Sequence, residues 1–87
     1  MQIGRVEVVA VTTKAQDVDL GFRSFLIQNN SEDAVVYIKE KSRDKADVTS
    51  ANGFSIWPGE TLNHVLSGKT LSILGSAAAE VRIMYLD

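Results

Sequence analysis

Apolar residues along the chain fall into short segments with turn-forming residues between them. Valine, isoleucine and threonine are frequent in these segments, and such β-branched residues are typical of strands. The polar residues 12–19 carry no helical pattern of useful length, so we predict a connection there. The predicted strands are residues 3–11, 20–28, 34–39, 48–56, 61–66, 70–74 and 79–86.

Turn signals separate these segments. Asn-Asn-Ser at 29–31 ends the second strand, and side chains of this kind hydrogen-bond to the backbone of a turn. Trp-Pro-Gly-Glu at 57–60 predicts a type II turn, because proline presets φ at the second position and glycine accepts a positive φ at the third. Residues 76–80 are the only candidate helix, and five residues are too few for a stable one, so we predict a turn there too.

Seven to eight short strands joined by turns, without a helix, predict an all-β fold. We expect an antiparallel β-sandwich that is jelly-roll-like, with a small barrel as the alternative. At 87 residues, of which 45% are hydrophobic, the chain has room for one modest core. Residues 1–87 are therefore expected to form a single β-sandwich domain.

The last predicted strand has two different faces. Val81, Ile83 and Tyr85 share one side, and the other side carries Met84 and Leu86 beside charged residues. The first strand is also apolar on both faces over residues 8–11. We expect something to cover these apolar surfaces, either a second sheet or another subunit.

Composition excludes several kinds of chemistry. The chain has no cysteine, which excludes disulfides, thiolate metal sites and a cysteine nucleophile. Its one histidine, His64, cannot build a zinc site alone, and on a strand it shares a face with Leu62 and Leu66 at the rim of an apolar surface. A net charge of −2 disfavours nucleic acid and anionic membranes as partners. No membrane span or signal peptide is visible, so synthesis in a cytoplasm is expected.

Motifs for catalysis and ligand binding are incomplete. Gly-Lys-Thr at 68–70 resembles the end of a phosphate-binding loop, but the required earlier glycine is Asn63 and a strand follows in place of a helix. Asp17 and Asp19 resemble the start of a calcium loop that lacks its glycine and its closing glutamate. No nucleophile elbow is present, and no pair of carboxylates can be assigned as acid and base. We expect no enzyme activity, no cofactor and no metal site.

Four basic residues lie at two-residue spacing, Lys39, Lys41, Arg43 and Lys45. In an extended segment they would line one edge or face and form a basic stripe. Acidic residues intervene, and no aromatic residue is available there to stack on a base. The alternatives are a solvated loop, contact with an acidic protein surface, and contact with nucleic acid.

Four short motifs follow one another in a recognisable order. They are I-Q-N-N-S at 27–31, V-Y-I at 36–38, V-T-S-A-N-G-F-S-I-W-P-G-E-T at 48–61 and V-R-I at 81–83. This order resembles the small β-sandwich structural proteins of tailed bacteriophages. In that family a strand ending in Asn-x-Ser/Thr leads to a V-Y-I strand, then to V-T-x-x-N-G-x-x-x-x-P-G-E and to a closing V-R-[VI] strand.

The resemblance implies a virion protein that decorates heads or contributes to neck, tail or fibre structures, with no catalytic residues. One departure stands out. The relatives pass from the V-Y-I strand to V-T through a short glycine/serine loop, whereas this chain inserts the charged residues 39–47. The insertion is a candidate for adaptation to a specific neighbour.

We therefore expect a non-catalytic bacteriophage virion structural or accessory protein, such as a capsid decoration, neck or tail component. It would be made in the host bacterial cytoplasm, act in the virion, bind other virion structural proteins, and form a homo-oligomer, either a dimer or a trimer. The candidate partner-binding residues are Trp57, Met84, Leu86, Lys39, Lys41, Arg43 and Lys45.

Trp57 has a second interpretation, in which the ring closes one end of the core. The function has rivals as well. The first is a carbohydrate-binding or host-recognition β-sandwich, the second an oligonucleotide-binding barrel, and the weakest a small lyase or hydrolase.

Overall fold

The computed structural model describes residues 3–86, which form eight strands and no helix. All strand pairs are antiparallel. The strands are β1 (Ile3–Val11), β2 (Gln16–Asp19), β3 (Ser24–Asn29), β4 (Val36–Glu40), β5 (Phe54–Ile56), β6 (Thr61–Ser67), β7 (Thr70–Gly75) and β8 (Ala79–Leu86).

The strands make two four-stranded sheets. Sheet A has the order β1-β8-β3-β6 and sheet B the order β2-β7-β4-β5. Strand β1 pairs with β8, β2 with β7, β3 with β6 and β4 with β5, so the chain is one long hairpin rolled into two sheets. This is the topology of a jelly roll. The predicted jelly-roll-like β-sandwich is confirmed.

The core lies between the sheets and is built by alternation along the strands. Val81, Ile83 and Tyr85 of β8 all point into it and are at most 3% exposed, as their shared face predicts. Phe25 and Ile27 of β3 lie opposite Tyr85 and Ile83 and are buried with them. The other buried core side chains are Val11, Val18, Leu20, Val36, Ile38, Ile56, Leu71 and Ile73.

Strand β2 lies inside the stretch that the sequence predicts to be a polar connection. Of its four residues only Val18 is buried, opposite Leu71 of β7, so no apolar alternation marks it. The predicted strand over 48–56 is also too long, because residues 50–52 form a turn and only Phe54–Ile56 is a strand. Strand β2 forms because it pairs with β7, although its local pattern does not mark it.

A tight turn delays the start of β3 relative to the prediction. Gly21 and Phe22 both have positive φ, 61° and 60°, and Arg23 N–H donates to Leu20 O at 3.2 Å. This is a type I′ turn, in which both central residues adopt positive φ. Phe22 is strained there because a side chain with a Cβ disfavours this region.

The buried amide of Asn29 joins the two sheets. Its Nδ2 donates to Ala34 O at 2.8 Å, just before β4, and to Ile56 O at 2.9 Å in β5. Its Oδ1 accepts from the Ser31 N–H at 3.1 Å and from Ser31 Oγ at 2.6 Å. Because every polar atom of a fully buried side chain has a partner, the amide stabilises the fold.

The predicted type II turn at 57–60 is confirmed and is fixed by Asn29 as well. Gly59 has φ of 76°, and Glu60 N–H donates to Trp57 O at 3.0 Å. The backbone of Asn29 accepts from Gly59 N–H and donates to Glu60 O, both at 2.9 Å. The turn is therefore attached to the end of β3.

We expect Asn29→Ala to lower the free energy of unfolding by about 2 kcal/mol, because Ile56 O loses its side-chain donor and Ala34 O keeps only the Ser31 hydroxyl. The matched control is Asn30→Ala. Asn30 is exposed, and its side chain bonds only Glu80 among residues 3–86, so its loss should cost below about 1 kcal/mol. Urea unfolding of both variants measures the difference, and equal losses would contradict the proposed weight of the Asn29 amide.

Candidate protein-binding surfaces

The side of sheet A that faces away from sheet B, which we call the outer face of sheet A, carries an apolar row. Val6 and Leu26 lie opposite Met84 on its two sides, so the row crosses β1, β8 and β3. Val6 is 52% exposed, and Met84 and Leu26 are half-buried. Leu86 and Val8 extend the apolar area along β8 and β1.

The position of sheet B shows which face of β8 the second sheet covers. Sheet B covers the side with Val81, Ile83 and Tyr85, so Met84 and Leu86 point away from it. The second sheet is therefore excluded as the cover for Met84 and Leu86. A subunit or another protein remains the predicted cover.

Two members of the apolar row, Val6 and Leu26, are absent from the sequence-based candidates. The three consecutive apolar residues at 25–27 are the signal that could have revealed Leu26, since a strand with apolar residues on both faces has no side suited to water. Val6 carries no comparable signal, because its neighbours Arg5 and Glu7 make the segment resemble an ordinary solvated strand.

Part of the outer face of sheet B is covered by the chain itself, through residues 41–53, which we call the 41–53 strap. Val48 in the strap is 2% exposed, and its N–H donates to Oγ of Ser72 at 2.9 Å. Ser72 lies on the outer side of β7 and is fully buried as a result. Gly53 fits tightly in the strap, since a Cβ there would lie 2.5 Å from Val48 Cγ2 and 2.9 Å from Tyr37 Cβ.

Ion pairs fasten the strap to sheet B. Lys39 Nζ lies 3.0 Å from Asp44 Oδ2, and Lys41 Nζ lies 3.2 Å from Asp17 Oδ1 and 3.0 Å from Asp47 Oδ1. The hydrogen bonds to Asp47 and Asp17 raise the pKa of Lys41. The ammonium groups of Lys39 and Lys41 therefore interact mainly with carboxylates of the same chain.

The four basic residues consequently do not form an extended row. Residues 41–47 are a loop, in which Arg43 and Lys45 are exposed while Lys39 and Lys41 are taken up by the ion pairs. Partner binding through these four residues stays a prediction, and the structure leaves Arg43 and Lys45 as the accessible pair.

Trp57 is 60% exposed, so the interpretation in which it closes the core is wrong. The type II turn carries the ring outward, and its neighbour Ile56 fills the core instead. The ring is free to contact a partner. Phe22, 73% exposed on its strained turn, is a second exposed aromatic that the sequence did not single out.

His64 lies beside an apolar cleft of about 340 Å³ at the edge of the sandwich. Strand β5 has three residues and β6 is irregular in its pairing with β3, which opens the sheets at this edge. The apolar lining residues are Phe25, Ile38, Phe54, Leu62, Leu66 and Leu71. The expectation that His64 lies at the rim of an apolar surface with Leu62 and Leu66 is confirmed.

The Gly-Lys-Thr sequence at 68–70 forms the β6–β7 turn, and its backbone N–H groups already hold a carboxylate. Glu40 Oε2 accepts from Lys69 N–H at 3.2 Å and from Thr70 N–H at 3.5 Å. Its Oε1 accepts from Ser42 N–H at 2.9 Å and from the Ser42 hydroxyl. The side chain occupies the place that a phosphate would take in a phosphate-binding loop. An interpretation of this segment as a hairpin turn is wrong, because β6 lies in sheet A and β7 in sheet B, so the turn leads from one sheet to the other.

A charged cluster surrounds Tyr85 at the inner side of β1. The Tyr85 hydroxyl donates to Glu7 Oε1 at 2.9 Å, and the guanidinium groups of Arg5 and Arg23 lie 5.6 and 4.5 Å from the ring centre. Burial and the Glu7 carboxylate raise the pKa of the Tyr85 hydroxyl. Arg5 Nη2 also lies 4.0 Å from Glu7 Oε2, so two opposite charges lie side by side on β1 next to the ring.

No group of three or more acidic or histidine side chains within residues 3–86 is arranged to hold a metal ion. The same residues include no helix with the length and hydrophobicity of a membrane span. Comparison with protein-family models, curated proteins and solved structures gave no match. The resemblance to phage structural proteins therefore stays a prediction from the sequence motifs.

Hydrogen bonds to Ser42, Lys69 and Thr70 lower the pKa of Glu40 from 4.5 to about 2. A carboxyl group with a lowered pKa in the folded state stabilises the fold above its unfolded pKa and loses that contribution as the pH falls toward 2. We therefore expect Glu40→Gln to destabilise the protein by about 1 kcal/mol at pH 7 and by less at pH 3.

Urea unfolding at both pH values measures this effect, and Glu32→Gln is the matched control because Glu32 is exposed. A carbon-detected titration of Glu40 should show its midpoint near pH 2. A midpoint near 4.5 would contradict the proposed hydrogen bonds from the 68–70 turn and Ser42 to the Glu40 carboxylate.

Proposed function

We propose that this chain is a non-catalytic bacteriophage virion structural or accessory protein that binds other virion proteins through the outer face of sheet A. The observation that supports this most is the contrast between the two outer faces. The 41–53 strap covers the part of sheet B around Ser72, whereas an apolar row with the exposed Val6 lies open on sheet A. Exposed contiguous apolar surface is typical of protein-binding sites.

The mechanism is burial of apolar area with charged residues around it to set the orientation. Met84 lies at the centre of the surface and Leu86 at its end, and Arg82 and Glu80 lie on the same face of β8. Trp57 and the accessible basic pair, Arg43 and Lys45, are further candidate contacts at other parts of the molecule. The proposed partners are other virion structural proteins in capsid, neck or tail, and further copies of this chain in a homo-oligomer.

We expect the chain, produced in infected bacteria, to sediment with particles whose other components are identified by mass spectrometry as phage head or tail proteins. Met84→Glu should abolish this association, because it places a charge at the centre of the apolar surface. The matched control is Leu74→Glu. Leu74 is half-buried on the outer side of β7, the second strand of sheet B, as Met84 is on the second strand of sheet A.

Thermal melts of both variants verify that they fold. The proposal predicts that the Leu74 variant stays with the particles and the Met84 variant does not. Recovery of the unmodified chain only at the top of the gradient, among free proteins, would contradict the proposed function.

The second candidate is a carbohydrate-binding module, and the exposed ring of Trp57 favours it. Aromatic faces beside polar groups are what such a module needs, and Glu60 Oε1 lies 3.2 Å from the backbone nitrogen of Trp57. Because Trp57 is the only tryptophan in the sequence, its fluorescence reports on this place alone. A saturable shift during titration with glycans would support this candidate over the first, and an unchanged spectrum would remove it.

A further inference from the structure

We infer that two copies of this chain pair through the outer edge of β1, antiparallel and about a two-fold axis at Val6, to join their A sheets into one of eight strands. The inference deepens the proposed function, since it names the strand and the register by which the homo-oligomer forms. Four observations carry it: the length of the edge, its hydrogen-bonding groups, its exposure and its charges.

The edge of β1 differs from the other three sheet edges. Strands β2 and β5 have four and three residues, and β6 is irregular in its pairing with β3. Proteins protect edges against pairing by such short or irregular strands. Strand β1 has nine residues and pairs regularly with β8 from Arg5 to Val11.

The free side of β1 has unused hydrogen-bonding groups. Within residues 3–86, β1 pairs with β8 alone, and it lies at the end of sheet A. Alternate N–H and C=O groups of an edge strand therefore face outward and can pair with a further strand. The segment is also exposed, with Val6 and Val8 at 52% and 56%.

Charge selects the register. When two identical strands pair antiparallel about a two-fold axis, even-numbered residues face even-numbered ones and odd-numbered residues face odd-numbered ones. One residue therefore faces its own copy, and the axis lies between these two copies. An axis at Arg5 or at Glu7 would place like charges opposite each other. An axis at Val6 places Arg5 opposite Glu7 of the second copy, and does so twice.

Tyr85 contacts both Arg5 and Glu7 in the single chain. Its hydroxyl holds Glu7 and its ring lies under Arg5, so both side chains already point to the same side of β1. The two charges therefore lie next to each other on β1 before the second copy binds. The pairing would also join the two outer faces of sheet A, because residues opposite each other lie on the same side of a sheet.

The first experiment is light scattering on a size-exclusion column over micromolar to submillimolar concentrations. Pairing of single edges buries a small area, so we expect a dimer that dissociates in the micromolar range. Arg5→Glu and Glu7→Arg each place like charges opposite each other, and each should raise the dissociation constant about tenfold or more.

Mixing the two variants is the decisive test. A chain with Glu at both positions faces a chain with Arg at both, so the mixture should form a heterodimer although each variant alone does not. The double variant with both changes in one chain should recover the homodimer. An unmodified protein that stays monomeric throughout, or a mixture that stays monomeric, would overturn the inference.

Cross-linking gives the register without altering Glu7, whose loss from Tyr85 could impair folding. The chain has no cysteine, so single substitutions report on one position each. Val6→Cys should form a disulfide-linked dimer, since the axis places the two residues opposite each other. Val8→Cys is the matched control, because the same axis separates its two copies by about 13 Å along the strands.

Cross-linking of Val8→Cys in preference to Val6→Cys would overturn the proposed register. The proposed function is tested separately by Met84→Glu, which lies on β8 opposite Val6 and changes no residue of β1. Particle association that persists in Met84→Glu, with an unchanged dimer, would count against the outer face of sheet A alone. A monomeric chain that still binds particles would count against the pairing of β1 alone.

Discussion

The end of the sandwich depends on the side-chain amide of Asn29. It lies in β3 of sheet A and donates to carbonyls before β4 and in β5, both on the side of sheet B. Through the backbone of the same residue, the turn at 57–60 is held against β3. A core of aliphatic side chains sets the spacing of the sheets only loosely, whereas four directed hydrogen bonds fix one geometry. The outward direction of Trp57 follows from that geometry.

The two sheets use their outer faces differently. The 41–53 strap lies on sheet B, buries Val48 and Ser72, and forms ion pairs through Asp44 with Lys39 and through Lys41 with Asp17. Sheet A has no such cover within residues 3–86 and carries Val6, Met84 and Leu26 in one row. The charged insertion therefore has a structural role inside the chain, and the surface available to a partner lies on the opposite side of the molecule.

Strands with strong alternation or continuous apolar runs were predictable, and β1 and β8 agree with the predicted bounds residue for residue. Strand β2 was not, because its one buried residue, Val18, is set by pairing with β7. The motif residues Asn29, Gly53 and Gly59 all have structural roles, namely bridging the sheets, close packing and positive φ. Such residues identify a fold from sequence. The candidate surface depends on which face the strap covers, and local sequence does not encode that choice.

The rolled hairpin has a consequence for how the chain folds. Strand β8 lies between β1 and β3, so sheet A cannot form before the last strand of the fold is available. Ile3 pairs with Leu86, a closure across nearly the whole described chain, and such non-local contacts slow folding. During synthesis the β4–β5 segment and the β6–β7 segment can come into contact with each other early. The apolar β1 has no partner strand until β8 has been synthesised. This strand order therefore leaves β1 exposed as an unpaired strand for as long as β8 is missing.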